Sequence, residues 1–197
     1  ITRLYGPEAF GLQGVFMTVV GLLATVAALS YPVAIVLPKS DATALGIAKL
    51  SLIVGVAMTT LMTAVLALFG PEFLSLLNAE SIRPLIFLIP VAMMLSVIGA
   101  VVGQWLIRKN AFLLTAKVGV LTTLTMSTIK TGLGLLHPSA MVLIVTNSLS
   151  SALGIVLSLV GARRSRVRIA PDVQLDAPPL SAWDLAKKHR DFAFFRT

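Results

Sequence analysis

Five apolar segments, each close to the length that crosses a bilayer, fill most of residues 11–161. They lie at about 12–37, 45–69, 84–106, 111–134 and 140–161. A helix needs about 20 apolar residues to cross roughly 30 Å of hydrocarbon. Backbone groups inside lipid must find their partners within the protein, so helices are the natural spanning form. Of the 197 residues, 57% are hydrophobic and 12% charged, where a soluble domain carries about 25% charge. A soluble protein of this size leaves too many side chains near water to hide so much apolar surface. The expected fold class is all-α, a polytopic membrane bundle.

Between the segments lie breakers. Residues 1–11 hold Gly6, Pro7, Glu8 and Gly11 and read as the close of a preceding element followed by a turn, with Pro7 placed to start a short helix. In the first segment Gly14 and Gly21 lie seven apart, a spacing that suits close helix approach, and Pro32 removes one intrahelical hydrogen bond. Gly70-Pro71-Glu72 reads as the stop of the second segment, and 71–82 as a short amphipathic stretch at the interface. Pro90 predicts a kink or local unwinding in the third segment. Trp105, near its end, suits the interfacial aromatic belt. The short loop around His137-Pro138-Ser139 predicts an antiparallel hairpin of the fourth and fifth segments.

Net charge is +8, and half of the 16 basic residues follow residue 161. That polar tail, 162–197, opens on Arg163, Arg164, Arg166 and Arg168 and reads as a basic linker along the membrane surface. In it, Ser181 and Asp184 form a helix-start signal, and Trp183, Phe192, Phe194 and Phe195 are the apolar contacts. With five crossings, the flanks alternate. Residues 38–44, 107–111 and 162 onward hold Lys39, Arg108, Lys109 and the arginine cluster, with Asp41 as the main acid near the membrane, and Lys49 placed to snorkel toward them. The other flanks hold Arg3 and Arg83 against Glu8, Glu72 and Glu80. The positive-inside rule puts the basic set, tail included, in the cytoplasm. The arginine cluster reads as a topology signal and an anionic-lipid contact, not a nucleic-acid site.

The fourth segment carries Lys117 and Lys130 among seven hydroxyl residues, Thr115, Thr122, Thr123, Thr125, Ser127, Thr128 and Thr131. A charged side chain near the bilayer centre costs at least about 2.5–3.5 kcal/mol. Two readings stand for each lysine: snorkelling to the nearer interface, or lining a wet cavity. Thr123, Ser127, Lys130 and Gly134 follow in near-helical steps and form one polar stripe. No acid lies deep in a segment to pair with either lysine, and an unpaired ammonium in a cavity suits a phosphate or carboxylate. Asn147, with Ser148 and Ser151, reads either as glue between helices or as lining of the same cavity. Tyr31 and Pro32 read as a gate or as a belt residue beside a helix break. The sequence has no cysteine and two distant histidines, His137 and His189. No triad, carboxylate pair, phosphate loop or metal set is spaced for chemistry, so neither an enzyme nor a bound metal or cofactor is expected.

The opening, Thr2-Arg3-Leu4 through Gly6-Pro7-Glu8, Phe10-Gly11 and Ala34 to Asp41, resembles the bacterial polysaccharide biosynthesis transporters. These are the O-antigen and exopolysaccharide flippases of the multidrug/oligosaccharidyl-lipid/polysaccharide exporter superfamily. Further marks are Gln104-Trp105-Leu106-Ile107-Arg108-Lys109 before the lysine-bearing segment, and Arg190-Asp191-Phe192-Ala193-Phe194-Phe195-Arg196-Thr197. The resemblance covers nearly the whole chain but only the amino-terminal half of a family member. It implies one lobe (residues 1–161) of a two-lobe transporter, with 162–197 leading toward a missing carboxy-terminal lobe, and so a piece of a longer protein in the bacterial cytoplasmic membrane. It also implies alternating access for a polyprenyl-diphosphate-linked oligosaccharide, with Lys117, Lys130 and Arg3 in a cationic cavity. Where many relatives have Arg-Tyr-Glu, this chain has Ser30-Tyr31-Pro32, so a role built on those charges does not carry over. Two further classes compete: a drug or small-molecule antiporter of the same superfamily, and a non-transporting scaffold of a polysaccharide assembly complex.

Overall fold

The computed structural model describes residues 4–28, 31–76 and 80–164. Among them the chain is all helical. Five long helices run α1 (Pro7–Ala28), α2 (Asp41–Leu76), α3 (Leu88–Arg108), α4 (Phe112–Leu136) and α5 (Ala140–Arg164), with 3₁₀ turns at Tyr31–Val36 and Glu80–Leu85. All five are long and apolar enough to cross a membrane. Arg3, Ser30 and the tail residues Arg166, Arg168, Ser181, Trp183, Asp184, Phe192, Phe194 and Phe195 lie outside the described residues.

α3 is the hub. It packs against α1, α2, α5 and the first 3₁₀ turn, and it buries Ile89, Met93, Val97, Val101 and Trp105 at steps of four, with Ala92 beside Met93. That periodicity is one helical face, and it meets Phe16 and Val20 of α1 and Ile144 of α5. A second cluster at the opposite end of α3 gathers Val101 and Trp105 with Ala34, Ile35, Ala44, Ile47 and Ala48. α4 stands at the rim and packs chiefly on α5, from which the three residues 137–139 fold it back. Ser139 Oγ accepts the Val142 N–H at 3.5 Å and starts α5.

Several boundaries differ from the sequence reading, each for a physical reason. Pro7 opens a helix of 22 residues, not a short one. The first segment does not run helical to residue 37. α1 ends at Ala28, and Pro32 takes the second place of a 3₁₀ turn, where its missing N–H breaks no helical ladder. Gly70-Pro71-Glu72 does not stop the second segment, and residues 71–76 belong to α2 rather than to a separate interfacial helix. α2 continues for 36 residues to Leu76. A proline inside a helix costs about 3 kcal/mol, and here tertiary burial offsets it. Leu74 is buried beyond the proline, and Ile86 returns over Gly70 so closely that a Cβ there would meet its Cδ1 at 2.5 Å. Pro90 does not kink α3, because it is the third residue of that helix, among the N–H groups that have no partner anyway. Gly14 and Gly21 have nothing within 4 Å of a built Cβ. The close approach is instead at Gly55, where α2 and α3 bring Val97 Cγ1 to 2.6 Å.

Candidate functional site

The two lysines of α4 do not converge. They are thirteen residues apart, which at about 100° and 1.5 Å per residue sets them about 140° apart around the axis and about 20 Å apart along it. Lys117 is exposed and Lys130 half-buried. Neither forms an ion pair among the described residues, where both salt bridges belong to Asp41. The polar stripe begins open at Thr123 and becomes half-buried at Ser127 and Lys130. Its carboxy-terminal end is closed by Tyr5, which is 1% exposed and donates its hydroxyl to the Lys130 carbonyl at 2.8 Å. Gly134 makes room for that ring. A Cβ there would lie 2.7–2.8 Å from Cε2, Cζ and Oη of Tyr5.

Asn147 is on α5 and its amide donates to Met17 Sδ of α1 at 2.9 Å, so it links two helices. Ser148 and Ser151 return their hydroxyls to carbonyls of their own helix, Ile144 and Asn147. The hydroxyl lining lies one groove inward. Thr25 of α1, Pro32 of the 3₁₀ turn and Ser96 and Gln104 of α3 border a cavity of about 280 Å³. Ser96 also borders a neighbouring cavity of about 260 Å³ with Thr115 of α4 and Ser151 and Ser158 of α5. Pro90 sits at the far end of α3, beside Thr59 and Thr63, on a cavity of about 350 Å³. The two prolines thus lie at opposite ends of the central helix. Tyr31 is buried, which removes it from any lipid-facing belt.

Trp105 is likewise not a belt residue. It is 6% exposed, packed among α2 and the first 3₁₀ turn, and its indole N–H has no acceptor among the described residues. Beside it is a cluster the sequence reading did not assemble. Arg108 Nε and one terminal nitrogen reach Asp41 Oδ1 at 2.9 Å. The guanidinium also donates to the carbonyls of Ile35 at 3.2 Å, Pro38 at 2.6 Å and Lys39 at 3.3 Å. Lys109 bonds the other Asp41 oxygen and places its ammonium 5.8 Å from the Trp105 ring centre, within cation–π range. A planar fork with five donors suits this task. The end of α3, the first 3₁₀ turn and the start of α2 are tied at one end of the bundle. A hint was present in sequence, since Asp41, Arg108 and Lys109 occupy flanks of the same parity.

Compared with known proteins, the chain matches no family model, no curated protein and no solved structure. A polytopic bundle of membrane-length helices, consistent with a transporter-like fold, is what the geometry establishes.

Proposed function

We propose that this chain is the amino-terminal lobe of a transporter in the bacterial cytoplasmic membrane, carrying an anionic lipid-linked saccharide from the inner to the outer leaflet. A second, carboxy-terminal lobe faces it and completes the pathway. The observation that carries the reading is α4: a membrane-length helix with two ammonium groups that no carboxylate pairs among the described residues. Ionisable residues at membrane depth mark transport pathways by default. The resemblance of the opening and of 104–109 to polysaccharide flippases supplies the cargo class.

The spacing of the lysines shapes the mechanism. At about 20 Å apart along the helix, they do not clamp one diphosphate together. Lys117 receives the anion near the basic end, and Lys130 holds it near the opposite end, as successive stations of alternating access. The hydroxyls of Thr123 and Ser127 on α4 line the path between. The resemblance also assigns Arg3 to the cationic pathway, while Asn147 bridges to α1. Tyr31, Pro32 and Pro90 mark the two ends at which the lobe opens and closes.

The test is the sidedness of lipid-linked oligosaccharide in cells expressing the native protein. Loss of the protein is expected to trap the intermediate in the inner leaflet. Lys117→Ala and Lys130→Ala are each expected to lower transport at least about tenfold with normal insertion, and the Lys→Arg variants to restore part of it. Normal outer-leaflet intermediate in both alanine variants overturns the cargo assignment.

A further inference from the structure

A second groove lies at the basic end, away from the lysines of α4. Its walls are α2 and α5, and α3 forms its floor and packs against both. Leu45, Leu52, Val101 and Leu159 make it apolar, Trp105 lies on the floor, and Lys49 is the one charged residue of the lining. Its volume is about 170 Å³. The geometry points to a binding site for an anionic glycerophospholipid of the adjoining leaflet, with an acyl chain in the groove and the phosphate at Lys49.

Depth supports this occupant. At about 1.5 Å per residue, Lys49 is about 12 Å from the start of α2, Val101 about 10 Å from the end of α3, and Leu159 about 8 Å from the end of α5. The groove therefore occupies the outer part of one leaflet, about half of a 30 Å hydrocarbon core. Lys49 is exposed, and its four-carbon stem can lie along the apolar wall while the ammonium reaches the headgroup layer.

Charge supports it too. Ala162 closes the groove, and exposed Arg163 and Arg164 follow it directly. Among the described residues the acid of this end is Asp41, and Arg108 and Lys109 already hold it. What remains is cationic and faces headgroups. Trp105 adds a donor whose N–H has no acceptor among the described residues, and an ester oxygen of a seated lipid supplies one after a small tilt of the indole. A zwitterionic lipid fills the groove equally well, but its headgroup cation offsets the phosphate charge that Lys49 meets.

Tryptophan quenching by brominated lipid tests the site in the full chain. Trp183→Phe leaves Trp105 as the sole tryptophan, since the chain has two. Vesicles contain phosphatidylcholine with phosphatidylglycerol, one or the other brominated on its acyl chains. Brominated phosphatidylglycerol is expected to quench with an apparent affinity about fivefold above that of brominated phosphatidylcholine, the effect of one basic residue at an anionic surface. Lys49→Ala is expected to abolish the preference and Lys49→Arg to keep it. The Lys49 side chain is exposed, so folding is not at risk. Lys39→Ala, an exposed base at the same end but outside the groove, is the control and is expected to keep the preference. Equal quenching by the two lipids, equal losses in the Lys39 and Lys49 variants, or no quenching because another helix covers the groove each overturns the proposal.

Discussion

Tyr5 and Gly134 show how single residues set the carboxy-terminal end of α4. The phenol is buried against a glycine that has no Cβ to obstruct it. Gly134→Ala is expected to cost about 1–3 kcal/mol, because an added methyl overpacks a closed contact. Thermal unfolding in detergent measures this, and the loss should shrink in a Tyr5→Ala background if the ring is the obstacle. Tyr5→Phe removes one neutral hydrogen bond to the Lys130 carbonyl and is expected to cost only about 0.5–1 kcal/mol. Asn110 makes a different demand. Its φ of 53° is a left-handed conformation that Asn tolerates and β-branched residues do not. Asn110→Val is expected to lower stability by about 1–2 kcal/mol and Asn110→Gly to leave it near native, by the same assay. None of these contacts was visible in sequence, because Tyr5 and Lys130 are 125 residues apart and no periodicity relates them.

Among elements, the Arg108 cluster determines how the first 3₁₀ turn is held. One guanidinium serves a carboxylate and carbonyls of Ile35, Pro38 and Lys39, and it is about one-tenth exposed. Removing it leaves Asp41 to Lys109 alone and loosens the turn that carries Pro32. Arg108→Ala is expected to cost about 3 kcal/mol, since hydrogen bonds to charged groups contribute about 1.5–3 kcal/mol each when lost. Arg108→Lys is expected to recover only part, because an ammonium cannot reproduce the planar fork. Unfolding midpoints of the three proteins check the order. The α2 boundary belongs to this scale as well. Local rules stop the helix at Gly70-Pro71, and burial of Leu74 and Ile86 carries it past.

For the whole molecule, the contacts fix which flanks share an end. Asp41 meets Arg108 and Lys109, so residues 38–44 and 107–111 lie together, while Tyr5 meets Gly134 at the other end of α4. Placing the basic end in the cytoplasm predicts a labelling pattern that a chain without cysteine makes simple to read. A membrane-impermeant thiol reagent is expected to modify Ser40→Cys only from the cytoplasmic face and Ser139→Cys only from the outside. The reverse pattern overturns the orientation. The number of membrane-length helices and their helical form followed from the sequence by itself, because apolar length is a local quantity that the bilayer reads directly. The tertiary structure alone decided that Lys130 is half-buried beside Tyr5 while Lys117 stays exposed, that Trp105 turns inward, that α2 outruns its proline and that α3 is the hub. Those outcomes depend on which side chains meet across helices, and in a chain apolar on nearly every face the hydrophobic pattern does not say which faces pair.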